Sequence, residues 1–115
     1  MTPAAFDAVC RALPGVTMDQ PWGDDHVYKV GDKMFAATGP EARTLSFKAT
    51  DIAYEALTEA GPGRPAPYLA RAKWVYFDDL ASLDAEEVRG WLKTAHQLVA
   101  ARLTKAQKRE LGLIA

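Results

Sequence analysis

The chain has 115 residues, of which 49% are hydrophobic and 25% are charged, values typical of a soluble globular protein rather than a disordered chain. This length suggests one domain, residues 1–115, with room for a hydrophobic core. The formal net charge of −1 argues against a domain that binds nucleic acid through its overall charge, because such domains usually have a pI above about 9.

The N-terminal segment predicts a helix with one apolar face. Thr2 suits the N-cap position, and Pro3 suits the first turn because its missing N–H would be unpaired there anyway. Pro14 and Gly15 then end the helix. Four apolar residues recur at helical spacing and should face a sheet: Phe6, Val9, Cys10 and Leu13.

Cys10 is the only cysteine and lies on that apolar face, so we expect a buried structural thiol and not a reactive nucleophile. The first residues lack the basic region and apolar run of a signal peptide, and no later stretch is apolar enough to predict a transmembrane segment. These features predict a cytoplasmic protein with no membrane partner.

Four extended segments follow, at residues 16–22, 26–30, 33–38 and 44–48, with side chains that alternate between apolar and polar. Gly31 and Asp32 form a two-residue connection, and a glycine in its first position predicts a type II′ hairpin turn. Because only short turns separate these strands, they must be antiparallel neighbours.

A short helix is predicted at residues 51–60, with Thr50 as its N-cap, Gly61 as its end and a buried stripe formed by Ile52, Ala56 and Leu57. A stiff loop rich in Gly and Pro leads from it into a strand at residues 73–77. In that strand Val75 and Phe77 should face one side of the sheet, with Trp74 and Tyr76 on the other.

Two helices complete the chain. Asp84 with Glu87 has the form of a capping box at the start of a long helix that reaches about Leu103, and Thr104 with Gln107 starts a short one that runs to Leu111. The order predicts an α+β fold, an antiparallel sheet with helices packed on one face. The other face is open, and its candidate residues are His26, Lys29, Thr44, Ser46, Lys48, Lys73, Trp74 and Tyr76.

Catalytic and metal sites are not indicated. His26 and His96 are isolated in the sequence, no pair of metal ligands has a recognised spacing, and Gly61-Pro62-Gly63 lacks the residues of a phosphate-binding loop. We therefore expect a protein that is not an enzyme and that needs neither metal nor cofactor.

One set of residues combines positive charge with aromatic surface, as phosphate and base contacts require. Its members are Lys48, Arg64, Tyr68, Arg71, Lys73 and Trp74. The alternative is that Trp74 anchors the core and the charges form an ordinary solvated face. A second basic cluster, formed by Arg102, Lys105, Lys108 and Arg109, is expected to be a solvated helix surface.

The chain resembles the MmcQ/YjbR-like family of small bacterial proteins, whose fold is similar to that of CyaY, the bacterial frataxin. The resemblance implies an α+β fold, no catalytic residues and, from the common description of the family, DNA binding. The ordered segments that carry it are Leu13-Pro14-Gly15-Val16, Pro21-Trp22-Gly23, Tyr28-Lys29-Val30-Gly31-Asp32-Lys33-Met34-Phe35-Ala36, Leu45-Ser46-Phe47-Lys48, Pro67-Tyr68-Leu69 and Lys73-Trp74-Val75.

Two hypotheses follow. In the first, the protein is a monomeric, non-enzymatic DNA-binding protein whose contacts come from the basic and aromatic set defined above. In the second, it is a small-molecule or protein-interaction module whose open sheet face, with Lys48, Trp74 and Tyr76, holds an anionic or aromatic ligand. An iron-binding role like that of frataxins is not expected, because the first helix carries only one acid, Asp7.

Overall fold

The computed structural model describes residues 1–21, 23–67 and 69–114, with the backbone alone described at Ala60. The helices are α1 (Pro3–Ala12), α2 (Asp51–Glu55, continued by a π-helical turn, Ala56–Ala60), α3 (Ala85–Ala100) and α4 (Lys105–Glu110). The strands are β1 (Val16–Asp19), β2 (His26–Val30), β3 (Lys33–Thr38), β4 (Leu45–Lys48), β5 (Arg64–Pro65) and β6 (Trp74–Phe77).

All six strands belong to one antiparallel sheet in the order β1-β2-β3-β4-β6-β5. α1 and α3 pack on one face of this sheet, so the predicted α+β class is confirmed. The segment 64–66 returns alongside β6 and was not predicted as a strand, because Gly and Pro around it hide the signal of an edge strand.

Local capping explains where three helices begin. The hydroxyl of Thr2 accepts a hydrogen bond from Ala5 N, and the hydroxyl of Thr50 accepts one from Ala53 N, each at 3.1 Å. Thr104 and Gln107 form the predicted capping box of α4. Asp84 is the N-cap of α3, but its side chain accepts no hydrogen bond from the described first turn, so the capping box predicted there is wrong.

The hairpin between β2 and β3 differs from the predicted type. Gly31 and Asp32 both have positive φ, 57° and 63°, which is the signature of a type I′ turn and not of type II′. A side chain at Gly31 would also collide with Leu103, since an added Cβ would lie 2.6 Å from a Leu103 methyl carbon. Leu103 therefore packs directly over this turn.

The core lies between the sheet and the helices. Phe47, Phe77 and Trp91 stack nearly parallel, with ring centroids 5.1–6.1 Å apart. The register of β3 shifts by one residue at Phe35, so that both Phe35 and Ala36 are fully buried on this side. Cys10 is fully buried as predicted, and burial raises the pKa of its thiol well above its usual value.

α2 is rotated relative to the prediction. Ile52 is 82% exposed and Ala56 is exposed, whereas Ala53, Tyr54 and Leu57 pack against the core. Neighbouring residues of a helix are about 100° apart, so a small change in how the chain leaves β4 turns a different stripe inward. The predicted buried stripe is wrong for Ile52 and Ala56 and right for Leu57.

Two predicted residues of the open face lie elsewhere. His26 pairs with Thr38, which pairs with Leu45, so the register places His26 on the helix-covered side. Thr44 precedes β4, and its hydroxyl accepts a hydrogen bond from Gly39 N at 3.1 Å. Among the described residues, no helix is long and apolar enough to cross a membrane.

Candidate functional site

A concave recess of about 510 Å³ lies where β4 ends and α2 begins. The loop before β6 and the last turns of α3 form its other walls. Four of its side chains are cationic, and we call it the basic recess, defined by Lys48, Arg71, Lys73 and Arg102. The remaining lining residues are Ala49, Thr50, Asp51, Ala72 and Leu98.

Lys48 holds one wall of the basic recess in place. Its ammonium group donates a 2.7 Å hydrogen bond to the carbonyl of Ala72. One residue further on, Ala49 N donates a 2.9 Å hydrogen bond to the carbonyl of Lys73. These two bonds join the end of β4 to the loop before β6, and they bring the cations of both segments to the same place.

Lys73 has a left-handed backbone, with φ 63° and ψ 40°. The predicted strand began at Lys73, but β6 begins one residue later, at Trp74. Lys73 ends a 3₁₀ turn, Ala70–Ala72, and its N–H donates to the carbonyl of Ala70 at 3.0 Å. Its ammonium lies 5.0 Å from the centroid of the Tyr54 ring, close enough for a cation–π interaction. This contact points Lys73 toward α2 and into the recess.

Arg102 reaches the basic recess from the turn that follows α3. Burial lowers the pKa of Lys48 below its usual value, and the Arg102 guanidinium lowers it further, while the Asp51 carboxylate acts in the opposite direction. The charges of Lys48 and Arg102 are therefore close enough to repel each other. An anionic ligand would relieve that repulsion.

A shallower groove of about 240 Å³ continues from the basic recess and shares Lys48, Ala72 and Arg102 with it. It adds a fifth cation, Lys33. Within the part of the chain that the structure describes, none of these five cations forms an ion pair. Five other cations each have a carboxylate 2.8–3.2 Å away: Arg11, Lys29, Arg43, Arg64 and Arg89.

The structure brings together three of the six predicted site residues: Lys48, Arg71 and Lys73. Arg64 is not one of them, because it lies on β5 opposite Tyr76 and donates to the Asp78 carboxylate at 3.2 Å. Tyr68 lies outside the described residues, as does Trp22.

Trp74 is opposite Lys48 on the neighbouring strand and faces away from Val75 and Phe77, as predicted. It is nevertheless only 4% exposed, so its ring is not an open stacking surface. Two residues of the preceding loop bond to its backbone: Ala66 N donates to the Trp74 carbonyl, and Trp74 N donates to the Leu69 carbonyl. Of the two alternatives left open for Trp74, the structure shows the buried one.

Arg102 is the site residue that the sequence did not reveal. It was assigned to a solvated helix surface, and it is indeed exposed, but it faces the basic recess. No spacing rule connects it to Lys48, because the two residues lie on elements that meet only in the folded chain. No group of three or more His, Cys, Asp or Glu side chains that could hold a metal occurs among the described residues.

Comparison with known proteins places this architecture in a family. The YjbR family model matches residues 11–98. A Deinococcus radiodurans protein with a DUF419 domain is 29% identical over 96% of this chain and 88% of its own, with a TM-score of 0.83. A Pseudomonas syringae protein of known structure shares the fold, at 19% identity over 86% of this chain and 99% of its own, with a TM-score of 0.71. No protein of curated function matches the sequence. The match to the family model covers well over half of the chain, which therefore belongs to the YjbR family.

Proposed function

We propose that this protein binds DNA through backbone phosphates held at the basic recess and the adjoining groove. It would act as a monomer in the cytoplasm and would not catalyse a reaction. The observation that carries the proposal is the clustering of charge: five cations that form no ion pair among the described residues line one continuous concave surface. In a chain of net charge −1 such a surface attracts an anion locally.

The contacts would read the backbone and not the bases. Trp74 is buried, and the Tyr54 ring is occupied by the Lys73 ammonium, so neither offers a free face for base stacking. Phosphate contacts position a protein on DNA without carrying sequence information. Binding is therefore expected to be independent of sequence and no weaker for duplex than for single-stranded DNA.

Salt dependence gives a quantitative expectation. If all five cations contact phosphates, the logarithm of the binding constant falls with the logarithm of salt concentration with a slope of about −4.5. Affinity then drops roughly 500-fold between 50 and 200 mM salt. The net charge of the protein opposes binding, so the complex should be measurable only at the low end of this range.

The test is a fluorescence-anisotropy titration of short labelled duplexes at two salt concentrations. The double variant Arg71→Glu/Lys73→Glu should abolish binding at low salt. Lys93→Glu/Arg109→Glu is the matched control, because it makes the same change of charge at two exposed positions outside the recess. No binding of the native protein at low salt, or an equal loss in both variants, would overturn the proposal.

A small anionic ligand is the second candidate, and the concavity of the basic recess favours it. A volume of about 510 Å³ falls within the range of about 300–1,000 Å³ that is usual for small-molecule sites. Here Lys48 would contact the ligand, while the buried Trp74 would not. Thermal denaturation with a panel of phosphorylated and carboxylated small molecules tests this candidate, which fails if none of them raises the melting temperature.

A further inference from the structure

The geometry points to a more specific ligand: the basic recess is a site for a phosphomonoester, a phosphate attached through one ester bond that carries about 1.5 to 2 negative charges near pH 7. This inference rests on the proposed function in one respect, since the phosphomonoester would be the phosphorylated end of a DNA strand. The same chemistry is offered by a free phosphorylated small molecule, and the experiment below separates the two sources.

The first argument is the balance of charge inside the recess. Four cationic side chains line it, and Asp51 is the one carboxylate among its described lining residues. An internal phosphodiester of DNA brings one negative charge. A terminal phosphate brings about 1.5 to 2 negative charges at pH 7, because its second pKa is about 6. The more highly charged group compensates the mutual repulsion of the cations more completely.

The second argument is shape. Residues from β4, α2, the loop before β6 and the end of α3 line the recess, so its donors come from several sides. A phosphate attached at one oxygen offers three free oxygens to these donors. An internal phosphodiester is attached at two oxygens and offers only two.

The third argument is the kind of donor. Arg71 and Arg102 each present a planar fork of N–H groups that can bind two phosphate oxygens at once, and Lys73 and Lys48 add ammonium groups. These donors can serve three free oxygens together. Leu98 and Ala49 leave an apolar wall beside them, against which the sugar carrying the phosphate can pack.

The inference predicts a particular pH dependence. A phosphomonoester loses one charge as pH falls through about 6, whereas a phosphodiester stays singly charged. The groups that face the recess are Lys48, Arg71, Lys73, Arg102 and Asp51, and no histidine is among its described lining residues. Burial and Arg102 lower the pKa of Lys48, and Asp51 acts in the opposite direction.

The experiment compares two duplexes that differ only in a 5′-phosphate or a 5′-hydroxyl at each end, at pH 7.5 and pH 5.5. In parallel, a nucleoside 5′-monophosphate and its nucleoside are titrated by NMR. We expect the 5′-phosphate to improve affinity about tenfold at pH 7.5, as one more charge-assisted hydrogen bond would, with a smaller gain at pH 5.5. Arg102→Gln should remove the gain, and Arg109→Gln, which lies outside the recess, should keep it.

The outcomes separate this inference from the proposed function. Equal affinity for both duplexes, with no binding of the monophosphate, overturns the inference and leaves DNA binding standing. Binding of the monophosphate in an Arg102-dependent manner, with no binding of either duplex, supports the inference and overturns DNA binding. A 5′-phosphate gain that survives both Arg102→Gln and a second variant, Lys73→Gln, overturns the inference, because the phosphate would then bind elsewhere.

Discussion

The Lys48 ammonium donates a 2.7 Å hydrogen bond to the carbonyl of Ala72, and this bond joins the end of β4 to the loop that carries Arg71 and Lys73. It gives Lys48 two roles, as a tie between two segments and as a cation of the basic recess. The shape of the basic recess therefore depends on Lys48, whose charge also attracts the ligand.

Replacing Lys48 by Met tests both roles. Loss of the hydrogen bond should lower the free energy of unfolding by about 0.5–1.5 kcal/mol, the usual net value of one hydrogen bond. Affinity for DNA or a phosphorylated ligand should fall in the same variant. Urea denaturation and anisotropy measure the two effects. Lys33→Met is the control, because it removes a cation of the adjoining groove that does not form this hydrogen bond. Unchanged stability in Lys48→Met would contradict the structural role given to the Lys48 hydrogen bond.

Asp51 should weaken anion binding, because it is the one carboxylate among the described residues of the basic recess. Asp51→Asn is expected to tighten binding of an anionic ligand roughly threefold, through loss of charge repulsion. It should also cost about 0.3–1 kcal/mol of stability, since Asp51 lies in the first turn of α2. Asp24→Asn, an exposed change outside the recess, is the control for titrations at fixed salt. Equal affinities of Asp51→Asn and the native protein would argue against a ligand in the recess.

The two faces of the sheet should differ sharply in their effect on stability. Phe47 is 1% exposed and stacks on both Phe77 and Trp91, so Phe47→Ala should cost about 3–5 kcal/mol. Tyr76 lies on the opposite face and is partly exposed, so Tyr76→Ala should cost clearly less. Chemical denaturation measures both. Similar losses in the two variants would mean that the open face is covered in solution.

Asp7 should make stability depend on pH at the acid end. Burial disfavours its ionised form, but hydrogen bonds from Tyr28 at 2.7 Å and from Arg11 outweigh burial and hold the pKa of Asp7 below its usual value. A lowered folded-state pKa means that the ionised Asp7 stabilises the protein above its unfolded pKa, and that this stability is lost as pH falls through the folded pKa. The difference in melting temperature between the native protein and Asp7→Asn should therefore be largest near pH 6 and shrink toward pH 3.

Tyr28→Phe provides the control for this pH effect. It removes the hydrogen bond to Asp7 while keeping the aromatic ring that packs edge-on against Phe6. The acid-dependent part of stability should become smaller in Tyr28→Phe, and stability at neutral pH should fall by a corresponding amount, because the ionised Asp7 loses a hydrogen bond that stabilises it. A difference between the native protein and Asp7→Asn that stays constant from pH 6 to pH 3 would show that the Asp7 carboxylate is not stabilised in the folded state.

Features that depend on near neighbours in the chain could be predicted from the amino-acid sequence. The hydroxyls of Thr2, Thr50 and Thr104 cap the helices that were predicted to follow them, because a cap needs only the next three residues. Alternation of apolar residues placed Leu45 and Phe47 on the core side of β4, since successive side chains of a strand point to opposite faces. Short connections between β1 and β4 required antiparallel pairing, and the α+β class followed.

Which of these residues meet, and which are covered, depends on how the whole chain packs. Trp74 is on the predicted side of β6, but it is only 4% exposed in the folded chain, and no pattern in the sequence predicts that burial. Ile52 faces solvent because the exit of the chain from β4 sets the rotation of α2. The basic recess exists because the turn after α3 brings Arg102 to the same recess as Lys48. These two residues are far apart in the chain, so they come together only when the whole core is packed.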